Sequence, residues 1–255
     1  RLTRFVLGTN QVHELPPGIG GLTSLTSVSL SNNPITRLPA SIGAWQGMKR
    51  IDLKLPQLDA LPEQIGRWGA LESVAIESDQ LLVLPVELTD CQSITELSVT
   101  GKRLLGLPES IGKLTRLTRL IMDGRADSLT SQGRGQMIAL PASIARCKAL
   151  TSLAILNQQQ FDGVEGMQLA ANLPHLKQLA FINCGIIDLA GIPWKNLSVS
   201  SLNLSQNRFS QLSAAVLDMP NLDQANFSDT NLPARLGLFF LRKTQLAEAL
   251  RKVDE

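Results

Sequence analysis

"LTSVSLSNNPITRLPASIGAWQGM", residues 25–48, carries two different spacings within a single short stretch. From Ser27 to Ser31 apolar and polar residues alternate, with Val28 and Leu30 on one face and the serines on the other. That is the pattern of a strand with one buried side. Beyond Asn33 the spacing opens to Ile35, Leu38, Ile42 and Trp45, and Pro39 restricts the backbone where the chain must turn back. One such stretch has a buried face and nothing of its own to bury it against. Something else must supply the cover.

The cover is more of the same. Units starting at Leu2, Leu25, Met48, Leu71, Ile94 and Leu117 follow each other at intervals of 23 residues, and Leu150, Leu176, Val199 and Leu222 begin four more, ten in all. Fixed self-similarity with L-x-x-L-x-L-x-x-N resembles leucine-rich repeats. Stacking pairs the short strands into a parallel sheet, and each unit covers its neighbour's leucines. Ten strands at about 4.8 Å make a sheet roughly 45 Å long. The expected fold is an α/β repeat solenoid: a curved horseshoe with a parallel sheet on its concave face and a helix capping its C-terminal end.

Composition agrees with an aliphatic stack. Apolar residues make up 44% of the 255, aromatic residues only 4%, and there is no tyrosine. A net charge of +2 without basic runs lacks the footprint of a nucleic-acid or anionic-membrane binder. No apolar run reaches the roughly 18 residues that read as a membrane-spanning helix, and no signal peptide is read. Cys91, Cys147 and Cys184 are odd in number and widely spaced, so a disulfide framework is not expected and a reducing compartment is. Cys91 and Cys147 fall in the slot that holds Leu22, Trp45, Trp68 and Leu114 elsewhere, which makes them core fillers. Cys184 takes the slot of Asn10, Asn33 and Asn207, while Pro56, Asp79, Lys102, Arg125 and Gln158 replace asparagine in the middle units. A weakened asparagine ladder predicts a sheet that bends or loosens there.

The full unit, with "LPPGIGGL", "LPASIGAW", "LPEQIGRW" and "LPESIGKL", resembles the repeats of the cytosolic Ras group. The resemblance covers nearly the whole chain and degrades after residue 150, where L-P is lost. Plant receptor ectodomains carry a G-x-I-P segment that is missing here. Similar repeats occur in Ras-signalling scaffolds, in plant intracellular relatives, in Roco GTPases and in bacterial effectors, where they often form the target-binding half beside a ubiquitin ligase domain. The resemblance implies a non-catalytic protein-interaction domain in the cytoplasm, or in the host cytosol for a secreted effector. Its alternative is the recognition half of a larger enzyme, such as a type III secreted E3 ubiquitin ligase with its catalytic domain outside this chain.

Residues for chemistry are sparse. His13 and His175 have no partner at metal-ligand spacing, so neither a metal site nor a cofactor is expected. "GLPESIGKLT", from Gly106, has five residues between its glycines and Leu114 after Lys113; it is a repeat turn, not a phosphate loop. No nucleophile, base and orienting group are brought together by the repeat.

A binding function would then use the outward residues of the strands. The first units are small and polar. Arg50, Asp52, Lys54, Glu77, Glu96, Arg119 and Asp123 make a middle zone of both charges. Ile121, Ala154, Leu156, Ala180 and Ile182 form an apolar spot on neighbouring strands. Apolar residues rimmed by charge mark partner sites, and a protein partner is the expectation.

One unit breaks the rhythm. The unit from Leu117 is ten residues too long, and the excess falls in the Gly-, Ser- and Arg-rich stretch within residues 124–138. Three readings stay open. The insertion takes part in binding; or it covers Ile121 and Leu156 with Leu129, Met137 or Ile138; or it is tolerated because loop-closure entropy grows slowly with length. The next unit is three residues too long as well, with "NQQQFDGVEGMQ" diverging, so two irregular loops are expected to bracket the apolar spot. Unit one starts at Leu2 with no polar cap, which suggests a segment before it. The repeat domain is read over residues 1–233, and residues 234–255 as a capping or connecting helix through Leu236, Phe239, Phe240, Leu246, Leu250 and Val253.

Overall fold

A computed structural model of the protein describes residues 1–124, 135–234, 236 and 241–251. Ten strands follow one another in chain order and in space: β1 (Arg4–Leu7), β2 (Ser27–Ser31), β3 (Arg50–Lys54), β4 (Ser73–Glu77), β5 (Glu96–Thr100), β6 (Arg119–Asp123), β7 (Ser152–Leu156), β8 (Gln178–Ile182), β9 (Ser201–Asn203) and β10 (Gln224–Asn226). All ten are parallel, and the register keeps equivalent positions opposite one another, as in Val28 beside Ile51 beside Val74. An eleventh strand, β11 (Leu241–Arg242), closes the sheet antiparallel to β10. The expected curved solenoid with its parallel sheet is therefore the fold.

Strands β2 to β9 alternate buried and accessible residues, and the return segment carries a 3-10 turn directly after proline in most units, as at Ala40–Ala44 after Pro39. The proline sits in extended backbone (φ −70°, ψ 146° at Pro39) and lacks an N–H, so a tight turn starts there without an unsatisfied donor. Inward leucines and the aliphatics of the turns merge into one continuous core running the length of the stack.

The middle of the sheet does not loosen. Strands β2 to β8 pair over five residues each, longer than the pairings at the C-terminal end. The reason is substitution of partners. Asn33 accepts from the Val12 N–H and donates to the Leu7 and Ser31 carbonyls, and Asn207 bonds its own neighbours in the same way. Where asparagine is missing, other side chains take over. Ser78 accepts from the Gln80 and Leu81 N–H groups and donates to the Leu58 carbonyl; Gln158 accepts from the Met137 N–H. Buried backbone groups need a partner more than they need asparagine.

The three additional residues of the seventh unit do not form an irregular loop beside the sheet. They widen its outer turn into α1 (Gly163–Ala170), capped by the Asp162 carboxylate accepting from the Glu165 N–H at 2.9 Å. Strand β7 keeps its full pairing to β6 and β8, so this excess lies on the outer side and does not bracket the apolar spot. The C-terminal segment also differs in detail from a single helix. It pairs as β11 before α2 (Lys243–Arg251) begins, and Leu236, Leu241, Leu246 and Leu250 are buried. Phe239, Phe240 and Val253 lie outside the described residues.

Candidate functional site

The concave face is built of three rows, one residue per strand in each. The register sets Arg50, Ser73, Glu96, Arg119, Ser152 and Gln178 side by side in the first row. The middle row runs Asp52, Ala75, Ser98, Ile121, Ala154, Ala180, and the third Lys54, Glu77, Thr100, Asp123, Leu156, Ile182. The five apolar residues singled out from sequence are thus one patch: Ile121, Ala154 and Ala180 adjoin along one row, and Leu156 and Ile182 lie beside them in the next. All five are half-buried, leaving one side of each open. The charged residues are brought together on β3 to β6, and β6 is the boundary between the two zones.

Small residues in the middle row leave room. A hollow of about 250 Å³ is lined by Ser73, Ala75, Glu96, Ser98, Arg119 and Ile121. A second of about 130 Å³ adjoins it across Ala75 and Ser98, and is walled by Asp52, Lys54, Glu77 and Thr100. The Ser73 hydroxyl donates to Glu96 Oε2 at 3.3 Å. Asp52 Oδ1 is buried with no hydrogen-bond partner among the described residues, an acceptor left without a donor at the edge of the second hollow.

Sequence reasoning missed the rim of the apolar patch. At the strand ends, Asn157 Nδ2 donates to Asp123 Oδ1 at 2.7 Å, Asn183 Nδ2 to Asn157 Oδ1 at 2.8 Å, and Gln159 Nε2 to Asn183 Oδ1 at 2.6 Å. Asn157 and Asn183 both hold left-handed backbone (φ 59° and 53°), a conformation that asparagine tolerates better than most residues. Asparagine at the same place after successive strands was the available signal.

The insertion is rooted at this rim. Gly124 donates its N–H to the Leu156 carbonyl and Gly135 to the Asn157 carbonyl, at 2.8 and 3.1 Å. A Cβ on Gly124 would lie 2.6 Å from the Gly135 Cα, so the two roots touch. Residues 125–134, Leu129 among them, lie outside the described residues. Met137 does not cover the patch: it is fully buried in the core slot that Ile35 fills in unit two, and Ile138 stands exposed on the outer flank. The repeat frame has resumed by then, and the core claims the first aliphatic residue.

Nothing about the thiols suggests reactivity. Cys91, Cys147 and Cys184 are free and buried, and burial pushes their thiols up to about 11, 11 and 12. Among the described residues no cluster of His, Cys, Asp and Glu is arranged to hold a metal ion, and no helix is long and apolar enough to cross a membrane.

A family model described as Leucine Rich Repeat matches residues 24–45. No curated protein sequence matches the chain. Solved structures match in fold. The repeat ectodomain of the plant membrane receptor kinase GASSHO1/SCHENGEN3 from Arabidopsis thaliana, in complex with Casparian strip integrity factor 2, aligns with a TM-score of 0.66 at 19% identity over 90% of this chain and 27% of that one. An internalin from Listeria monocytogenes aligns with 0.55 at 16% identity, over 97% of this chain and 72% of that one. The leucine-rich-repeat domain of the type III effector XopL aligns with 0.53 at 23% identity, over 69% and 70%. This chain thus spans about a quarter of the plant ectodomain, 27%. By its repeat and by the architecture it shares with these structures, the chain is a leucine-rich-repeat solenoid.

Proposed function

We propose that the chain is a non-catalytic binding domain that takes a partner protein on its concave face, across β3 to β8. The observation that carries this reading is the patch of Ile121, Ala154, Leu156, Ala180 and Ile182, half-open on a rigidly registered sheet and bordered by Arg119, Asp123 and the charged hollows. A flat sheet face needs no aliphatics on its solvent side for stability; their burial by a partner gains free energy, and the charges around them select which partner. Asp52 adds a carboxylate on the wall of the second hollow, with Oδ1 buried. The three free thiols support a reducing, cytoplasmic location. The recognition half of a larger effector enzyme would use the same face, a reading that rests on the resemblance of the repeats to those of bacterial effectors; a ligase or other catalytic module elsewhere in the full-length protein decides for it.

The test is capture of partners from cytosol by the wild-type chain and by an Ile121→Glu/Leu156→Glu variant. Both side chains are half-exposed, so the melting curve is expected to hold while the specific partner is lost, with affinity down by at least about tenfold. The same partners on the folded variant would refute the site.

A further inference from the structure

Away from the concave face, each unit has an exposed position directly after the first buried aliphatic of its return segment. It is held by Thr36 in unit two and Asp59 in unit three. In the next three units it is aliphatic: Leu82, Leu105 and Ile138 are 39%, 51% and 60% exposed. The core does not ask for them, because Leu81, Leu104 and Met137 beside them already fill the buried slot. Backbones stack at this level, the Leu105 N–H donating to the Leu82 carbonyl at 3.0 Å and the Asp162 N–H to the Ile138 carbonyl at 2.7 Å. Val83 and Val86, 58% and 52% exposed, widen the stripe. Large aliphatics left in water on three successive repeats are a surface without its cover.

On its turn side the stripe is bordered by Glu87 and Glu109, with no lysine or arginine in residues 82–87, 105–110 and 138–143; one unit earlier Asp59 is paired with Arg37, and Arg103 stands on the opposite border. Spacing adds a second restriction. Repeats stack at about 4.8 Å where strands pair, and somewhat wider on the outside of a curve. An α-helix laid along the stack presents one side chain per turn every ~5.4 Å, so each turn meets one repeat. A strand would present same-face residues every ~6.7 Å and fall out of step by the third.

We propose that Leu82, Leu105 and Ile138 form a second docking surface, on the outer flank, for an amphipathic helix of a partner protein. That helix carries aliphatic residues at i, i+4 and i+7 and lysine or arginine along the flank that meets Glu87 and Glu109. The surface is separate from the concave patch and stands independently of the function proposed for it.

Fluorescence anisotropy tests this with a labelled alanine-based helical peptide bearing leucines at i, i+4 and i+7 and lysines on one flank, titrated with the whole chain. Saturable binding is expected. Leu105→Lys/Ile138→Lys is expected to weaken it at least about tenfold, and Glu87→Lys/Glu109→Lys to weaken it and remove its sensitivity to salt, with circular dichroism unchanged in both. Ile121→Glu/Leu156→Glu, on the concave face, is expected to bind as the wild type does. No saturable binding to the wild-type chain, undiminished binding to the Leu105→Lys/Ile138→Lys variant, or loss with the concave variant would each overturn the proposal.

Discussion

Trp45, Trp68, Cys91 and Cys147 share one slot in the turns of units two, three, four and six, and a common bond explains why such different side chains fit it. Trp45 Nε1 donates to the Ile19 carbonyl, Trp68 Nε1 to Ile42, Cys91 Sγ to Ile65 and Cys147 Sγ to Ile111, at 3.1, 3.0, 3.2 and 3.4 Å. Each reaches the isoleucine carbonyl of the previous unit's turn. Cys184 imitates half of asparagine: its Sγ donates to the Ile155 and Ile182 carbonyls, as Asn33 does to Leu7 and Ser31. Burial raises all three thiols from 9.0 to about 11–12, so the thiolate is suppressed in the folded chain. A colorimetric thiol reagent at pH 8 is expected to leave the folded protein unlabelled and to modify all three cysteines in denaturant. The sign of the pH dependence follows. These groups hold their full stabilising share below the unfolded value near 9.0, and lose it as the pH rises towards about 11, because only the unfolded chain then gains by ionising. The urea midpoint should fall over that window more steeply in the wild type than in a Cys91→Ala/Cys147→Ala variant. Equal slopes would mean that the thiols are not protected by the fold.

At the scale of the element, the two irregular units solve the same problem differently. The seventh places its excess in a turn of α-helix on the outer side, with Gly166 letting Phe161 and Phe181 approach; a Cβ there would come within 2.9 Å of the Phe161 ring. The sixth parts its chain between two glycines that touch, and the frame is whole again at Met137. Excising residues 125–134 restores a unit of 23 with its roots already adjacent. The melting temperature of that deletion is expected within about 3 °C of the wild type, because closure entropy changes little and the two roots already meet. A drop of ten degrees or more would assign the insertion a structural role. With stability preserved, partner capture by the deletion distinguishes an insertion that takes part in binding from one that is tolerated.

The molecule as a whole has unlike ends. At one, Leu2 is exposed just before β1, and the inward Phe5 and Leu7 are only half-buried. At the other, β11 pairs with β10, the Lys243 N–H donates to the Asp223 carbonyl and its ammonium to the Met219 carbonyl, and Leu246 and Leu250 are buried. An unprotected sheet edge is a template for association. Truncation after Pro233 uncovers β10 and is expected to produce concentration-dependent light scattering and a lower, broader melting transition. A monodisperse truncated chain with the parent's melting curve would show that the last repeats are self-sufficient.

Sequence by itself determined the repeat, its ten strands, their parallel order and which leucines face inward, because a period of 23 residues dictates what lies over what. It also picked out Ile121, Ala154, Leu156, Ala180 and Ile182 as neighbours, since register converts spacing into adjacency. What depends on reach across units was decided only by the tertiary structure. Ser78 and Gln158 replace asparagine because their side chains arrive at the orphaned backbone groups, and no motif announces that. The Asp123–Asn157–Asn183 chain, the hollows over Ala75 and Ser98, and the exposed row of Leu82, Leu105 and Ile138 need three neighbouring units in position at once. A linear pattern specifies which face a residue takes; packing specifies what stands within hydrogen-bond distance of it and what is left in water.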